Sequence, residues 1–218
     1  MVDAAYRIAG KNEYYIFAGR HYGRVKMTPP DHENLVSRPK LITKGWNTLN
    51  NSGFGCVNTV VPVPGHDDQL YVFFGGRYVH IRLDNYDDSF VIDGAHSIES
   101  GWKALVQTGF DTVDAALKVP GSDTDIYFFR GLHYVRMNCS SGKLTGKVTP
   151  IKTGWPSIVK AGFDCVDTMV SIIDRPGHYY VFCGSQYAVI RLDNAGHDTL
   201  ISAAKPISDG WTSLDDWV

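Results

Sequence analysis

The chain has few cysteines, no long apolar run and no excess of charge of either sign. Its four cysteines, Cys56, Cys139, Cys165 and Cys183, are too sparse for a disulfide framework over 218 residues and suit reduced, buried thiols. No apolar stretch approaches the roughly 18 residues of a membrane helix, so no membrane partner is expected. Lys and Arg total 21 against 23 for Asp and Glu, a formal charge of −2, so the basic face that nucleic acid demands is missing. The segment from Met1 to Arg7 has no basic region leading into an apolar one, and the expected location is the cytosol. Catalytic signatures are missing too: there is no His-Glu-x-x-His, Gly-x-Ser-x-Gly, Cys-x-x-Cys or EF-hand loop. The run from Gly142 to Lys147 is one residue short of a phosphate-binding loop and lacks its Ser/Thr. The expectation is a binding protein rather than an enzyme.

What the chain does have is an internal repeat. Ile-x-x-Gly-Trp occurs at Ile42/Gly45/Trp46, Ile98/Gly101/Trp102, Ile151/Gly154/Trp155 and Ile207/Gly210/Trp211, with the tryptophans 56, 53 and 56 positions apart. An aliphatic residue follows each three positions on, at Leu49, Leu105, Ile158 and Leu214. Phe-x-Gly-x-x-Tyr recurs as Phe17/Gly19/Tyr22, Phe73/Gly75/Tyr78, Phe129/Gly131/Tyr134 and Phe182/Gly184/Tyr187. Val followed by Asp or Asn recurs as Val2-Asp3, Val57-Asn58, Val113-Asp114 and Val166-Asp167. Three landmarks in one order, four times over, define units of approximately 2–52, 53–108, 109–161 and 162–218 in a single domain.

Within each unit the local code is β. Aromatic and β-branched runs such as Leu70 to Phe74 lead into a Gly-x-x-Tyr turn and re-enter a strand, which is a hairpin. A short strand at the Val-Asp/Asn pair precedes it, and a short outer strand is expected near the Ile of Ile-x-x-Gly-Trp. The Trp-x-x-Leu piece is spaced for one helical turn. Four such four-stranded units bury their faces only against each other, so the predicted fold is all-β, a four-bladed propeller around an axial channel. Units 1 and 3 share Val-Asp-Ala-Ala, whereas units 2 and 4 share a Cys before the Val and an Arg-Leu-Asp-Asn run, which indicates a two-unit ancestor.

These landmarks resemble the hemopexin-like repeat, whose further Tyr-x-Arg element stands as Tyr22-Gly23-Arg24 and Tyr134-Val135-Arg136 and becomes Tyr78-Val79-His80 and Tyr187-Ala188-Val189 elsewhere. A single propeller of this length resembles the legume seed albumin-2 group. The resemblance implies a seed-cytosol protein able to form a homodimer, with cations in the channel, haem bound by the monomer and spermine by the dimer, and a reserve, stress or polyamine role. It implies main-chain carbonyls of Asp3, Asn58, Asp114 and Asp167 as ligands for Ca²⁺ or Na⁺, hard ions that favour oxygen. Ala5, Val60, Ala116 and Met169, two residues on, would offer a second ring. The alternative is that the four Asp/Asn residues merely hold turns between blades. Secreted hemopexin domains usually tie first blade to last with a disulfide, but no Cys lies near either end here, so closure is expected to rest on packing with help from Trp217.

For haem the candidate side chains are His21, His80 and His133, with no ligand singled out. For spermine they are Asp67-Asp68, Asp87-Asp88 and Asp123/Asp125. Arg24, Arg82, Arg136 and Arg191 are expected to pair with carboxylates between blades. The rival functions are a protein-interaction module using a propeller face, and a nitrogen reserve with no specific ligand.

Overall fold

The computed structural model describes residues 1–28, 32–84, 87–215 and 217–218, and the side chains of His32 and of residues 87–89 lie outside that description. Four antiparallel sheets follow one another along the chain. Blade one holds β1 (Ala4–Arg7), β2 (Glu13–Ala18), β3 (His21–Thr28) and β4 (His32–Leu41). Blade two holds β5 (Thr59–Pro62), β6 (Gln69–Phe74), β7 (Arg77–Asp84) and β8 (Asp87–Ser97). Blade three holds β9 (Ala115–Lys118), β10 (Asp125–Arg130), β11 (His133–Asn138) and two short pieces, β12 (Lys143–Leu144) and β13 (Thr149–Pro150). Blade four holds β14 (Thr168–Ser171), β15 (His178–Cys183), β16 (Gln186–Leu192) and β17 (Asp198–Pro206). The innermost strands close a ring: β1 lies against β5, β5 against β9, β9 against β14, and β14 against β1. The molecule is the expected four-bladed propeller, and no helix among the described residues is long and apolar enough to cross a membrane.

Period-two alternation builds the core between blades. In β2, Tyr15 and Phe17 belong to the apolar cluster shared with blade two, while Tyr14 and Ile16 belong to the cluster shared with blade four. The same division around the ring produces four clusters, one per pair of neighbouring blades. Each repeated Trp is buried in such a cluster and meets a strand tyrosine edge-on. The centroid distances are 5.1 Å for Trp46–Tyr15, 5.0 Å for Trp102–Tyr71, 5.3 Å for Trp155–Tyr127 and 5.0 Å for Trp211–Tyr180, an arrangement that adds to simple burial.

The outer strands depart from the expectation of short segments. β4, β8 and β17 run 10, 11 and 9 residues; only blade three has the short form. There Gly142, at φ 66°, turns the chain straight after β11, and Gly146 separates the two pieces that pair with it. The helical content is one turn more than expected in three blades, because Ile-x-x-Gly itself coils (Ile42–Gly45, Ile98–Gly101, Ile151–Gly154) before the turn that carries the aliphatic residue.

Two glycine positions have mechanical reasons. The first glycine of each Phe-x-Gly-x-x-Tyr occupies a two-residue hairpin turn at φ of 54°, 55°, 52° and 61° for Gly19, Gly75, Gly131 and Gly184, where a side chain would be strained. The glycine of Ile-x-x-Gly-Trp is fixed by packing instead: a Cβ on Gly45, Gly101, Gly154 or Gly210 would overlap the phenol of Tyr22, Tyr78, Tyr134 or Tyr187. Two landmarks of the repeat thus form a single contact.

Closure rests on packing, as expected. The Trp217 ring lies on Gly23 of β3, so close that a Cβ there would come within 2.7 Å of it. Blades two to four carry Val79, Val135 and Ala188 at that place. Glu33 of β4 accepts from the Ser213 N–H at 2.7 Å, from Thr212 Oγ1 at 3.0 Å and from Ser213 Oγ. Blade three joins blade four by the same device, with the Ser157 N–H donating to Asp198 Oδ2 at 2.6 Å.

Three of the four arginines have carboxylate partners in their own blade rather than in a neighbouring one. Arg24 bonds Glu13 and Arg136 bonds Asp125 (2.7 Å) across the hairpin of their own blade, and Arg82 bonds Asp68 (2.6 Å) within blade two. Arg191 is exposed on β16. Antiparallel pairing places these partners diagonally across one hairpin: Arg24 stands opposite Tyr15, Arg136 opposite Tyr127 and Arg82 opposite Gln69, residues that lie next to the carboxylate or next but one to it.

The Gly–Tyr contact carries the first prediction. Gly101→Ala is expected to destabilise the fold by about 1–3 kcal/mol, because Tyr78 is wedged against Phe73 and Trp102 and cannot yield. Gly76→Ala, whose Cβ would meet only Asp111 O at 3.5 Å, serves as the control with a small effect. Urea denaturation of the two variants checks this.

Candidate cation site at the propeller axis

Asp3, Asn58, Asp114 and Asp167 each immediately precede an innermost strand, and one pattern of bonds recurs at all four. The main-chain N–H donates to the carbonyl of the landmark Phe at 2.8–2.9 Å. The side-chain oxygen accepts from the N–H of the hairpin glycine: Gly19 to Asp3 at 2.6 Å, Gly75 to Asn58 at 2.6 Å, Gly131 to Asp114 at 2.6 Å and Gly184 to Asp167 at 2.5 Å. The side chains therefore do hold turns, within their own blade rather than between blades. The N–H and one side-chain oxygen of each residue are thus engaged within its blade. The signal for this brace was in the sequence, as a spacing of 16 and then 17, 17 and 17 between the Asp/Asn and the glycine.

The four positions crowd electrostatically. Burial raises the Asp167 carboxyl above the ordinary Asp range, outweighing its bond from Gly184, and the charges of Asp3 and Asp114 push it further up. Burial raises Asp3 as well, against the lowering effect of its bond from Gly19. One mouth of the channel thus gathers three carboxylates from different blades and one neutral amide.

Farther along the axis the channel opens into a cavity of about 740 Å³. Ala5, Val60, Ala116 and Met169 all line it, so the second set of equivalent positions also converges. The Ala5 N–H donates to Thr168 Oγ1 (3.2 Å) and the Ala116 N–H to Thr59 Oγ1 (3.1 Å), which ties blade one to four and blade three to two. Two cationic side chains, Arg7 and Lys118, line this end, and the buried Nε of Arg7 has no hydrogen-bond partner among the described residues. Sequence reasoning missed this pair, because Pro62 and Ser171 stand at the equivalent places and the cations do not repeat.

The remaining candidates disperse. His21 and His133 are exposed hairpin residues of blades one and three. His80 is half-buried in β7 with Nε2 2.8 Å from Gln69 Oε1 and its ring 4.8 Å from that of Tyr71; burial lowers its pKa, against the pull of Asp93. The structure brings no two of these three histidines together. Of the acidic candidates, Asp68 and Asp125 are ion-paired with arginines. Burial opposes charge on Asp125, but bonds from Thr124 and Arg136 outweigh it and hold the carboxyl below its ordinary range. Asp67 and Asp123 converge at the cavity, where Asp123 lies 3.9 Å from Lys118. The Asp87 and Asp88 side chains lie outside the described residues.

Comparison with known proteins matches this architecture. No protein-family model matches the chain. A hemopexin-fold protein from cow pea superposes with a TM-score of 0.88 and 26% identity, covering 99% of this chain and 97% of its own. That decides the architecture. The chain has the hemopexin fold of the legume seed albumins. A seed albumin from Dolichos gives a TM-score of 0.87 at 26% identity, over 100% of this chain and 99% of its own. By sequence, Albumin-2 of Lathyrus sativus is 21% identical over 222 residues, spanning 100% of this chain and 97% of the relative. This hemopexin-fold chain thus resembles the legume albumin-2 group along its whole length.

The raised carboxyl at the mouth makes a prediction. A folded-state pKa above the ordinary value near 3.8 means that ionisation opposes folding. The fold is favoured on this account below that value, and the advantage is lost as pH rises through the folded-state pKa. Asp167→Asn keeps the acceptor for Gly184, as Asn58 does for Gly75, and removes the charge. In chelator at pH 7 the variant is expected to match or exceed the parent by up to about 1 kcal/mol in urea denaturation, with the gain vanishing near pH 3.5. An equal loss at both pH values would mean that the carboxylate matters only as an acceptor.

Proposed function

We propose that this chain is a seed albumin of hemopexin fold that binds a hard cation, Ca²⁺ with Na⁺ as the weaker alternative, on the propeller axis. The observation that carries this reading is the negative mouth: the charges of Asp3 and Asp114 reach Asp167 and oppose its ionisation, and each of the three is held in its blade by its N–H and one carboxylate oxygen. A ring of main-chain oxygens from Asp3, Asn58, Asp114 and Asp167 suits Ca²⁺ in ligand type and number, with water completing the shell. A related propeller from Cicer arietinum is described as a plant lectin with two metal binding sites; at 21% identity it supports the fold alone, so the reading for this chain rests on its own residues. The relatives are described as albumins and a lectin, which supports binding rather than catalysis. Cytosolic residence belongs to the same reading. Scanning calorimetry tests it: Ca²⁺ is expected to raise the melting temperature saturably, by an amount equivalent to about 2.7 kcal/mol at 100 times the dissociation constant, and chelator to reverse it. No shift at millimolar Ca²⁺ would overturn it.

For the small ligand, the cavity supports haem over spermine. Its volume is that of an ordinary small-molecule site, and its walls combine Ala5, Val60, Leu117 and Met169 with Arg7 and Lys118. Those two cations complement a pair of propionates and repel a polyamine, which Asp67 and Asp123 alone would have to neutralise. Tyr6 and Tyr179 are phenols at the wall; Tyr6 donates to the Asp67 carbonyl, and burial raises the pKa of Tyr179, which disfavours it as a tyrosinate ligand. Hemin titration followed at the Soret band is expected to saturate, and to weaken several-fold in Arg7→Ala. An unchanged free-hemin spectrum, with heat on adding spermine instead, would reverse the preference. Self-association into a homodimer fits the long outer strands β4 and β8, whose Val36 (46% exposed) and Phe90 (49%) leave apolar surface on open sheet edges. Sedimentation of the same samples across a concentration series tests this, and a strict monomer would remove it.

A further inference from the structure

We propose that Cys165 and Cys183 form a redox-active pair that closes to a disulfide across blade four. Their sulfurs stand 2.9 Å apart, and each residue is partly exposed. The brace described above puts them there. In every blade, the N–H of the Asp/Asn bonds the landmark Phe carbonyl, and its side chain bonds the hairpin glycine two residues beyond that Phe. In blade four those two bonds flank Cys165, which precedes the Val, and Cys183, which precedes the glycine. The equivalent positions are Met1 and Ala18 in blade one, Cys56 and Phe74 in blade two, and Thr112 and Arg130 in blade three. Only in blade four do both places hold thiols, so the juxtaposition comes from the fold and the chemistry from two residues.

The oxidant is a low-molecular-weight disulfide such as oxidised glutathione. The Cys183 sulfur attacks one glutathione sulfur, forming a mixed disulfide and releasing the other as a thiol. The Cys165 sulfur then attacks Cys183, breaking the mixed disulfide and releasing the second glutathione. Two protein thiols become one disulfide, one glutathione disulfide becomes two thiols, and the two protein protons leave with them. Burial pushes the Cys165 thiol up, which disfavours it as the first attacker on a dissolved oxidant; its 2.9 Å approach to Cys183 supplies the proximity for the second, intramolecular step. The bond would pin the entry of β14 to the end of β15 beside Asp167, at the negative mouth of the channel. This inference does not rest on the cation reading.

The test uses the full chain, incubated with oxidised glutathione, alkylated, and counted for free thiols after denaturation. The expected result is a fall from four thiols to two, an intact mass lower by about 2 Da, and a non-reduced peptide map linking residues 165 and 183. The melting temperature should rise by about 5 °C or more, reversibly with dithiothreitol, since the crosslink closes a loop of 18 residues. Cys183→Ser should show neither the linked peptide nor the shift, while Cys139→Ser should show both. Should the serine variant fail to fold, the peptide map of the parent chain decides alone. Four thiols after treatment, or a lasting glutathione adduct on either cysteine, would overturn the proposal. So would thiols that react only after a co-purified metal is stripped, because Asp164 could complete a three-ligand site with the same two sulfurs.

Discussion

Each blade has two apolar faces and can bury neither by itself, and that requirement governs the rest of the molecule. The alternating aromatic and aliphatic residues of β2, β6, β10 and β15 feed two clusters at once, so every blade is half of two cores. Four sheets satisfy this only by closing a ring. Once they close, the four innermost strands are forced together at the axis, with whatever polar groups their sequences carry. The wedge that sets the spacing is the buried Trp held edge-on by a Tyr, seated where Ile-x-x-Gly makes room for a second Tyr. The apolar packing thus comes first, and the axial chemistry is its consequence.

That chemistry works against the fold where it is acidic. Burial at the mouth raises the Asp3 and Asp167 carboxyls above their ordinary range, and the charges of Asp3 and Asp114 add to the effect on Asp167, an energetic cost that the hairpin N–H bonds only partly offset. The arrangement is explicable on two grounds. Each side chain braces a hairpin turn at the point where the inner strand begins, and the assembled charge favours a cation on the axis. Asn58 performs the first task without contributing charge to the second. The opposite end of the channel carries Arg7 and Lys118 together with Asp67 and Asp123, so the axis runs from a negative mouth to a vestibule of mixed charge.

Much of this was legible from residue spacing. The Trp, Gly-x-x-Tyr and Val-Asp landmarks gave the number of blades, the hairpins and the convergence of four equivalent residues, because duplication leaves a spacing that needs no tertiary knowledge to see. Trp217 as a closing element was legible by elimination, since no cysteine near the ends could do that work. Features that break the repeat were not legible. Arg7 and Lys118 share a cavity although Pro62 and Ser171 occupy the matching places, and Cys183 meets Cys165 where the other blades have unrelated pairs. Partnership of the arginines was misjudged for a related reason. Periodicity shows that Arg24 and Arg136 recur, but only the hairpin register decides that Glu13 and Asp125 are their neighbours.

Symmetry explains why the axis is chemically more differentiated than the core. The apolar clusters and the Trp–Tyr contacts repeat four times, because packing volume must be conserved at every blade junction. Along the channel the repeat is only twofold: Thr59 and Thr168, in blades two and four, accept from Ala116 and Ala5 of blades three and one. The same alternation places cysteines before Val57 and Val166 and puts the two cations on blades one and three. A duplicated two-blade ancestor leaves this pattern when the core is constrained and the lining is free to diverge. A ligand on the axis therefore meets two kinds of wall rather than four equal ones, which is the condition under which a ring of like strands can orient an asymmetric molecule.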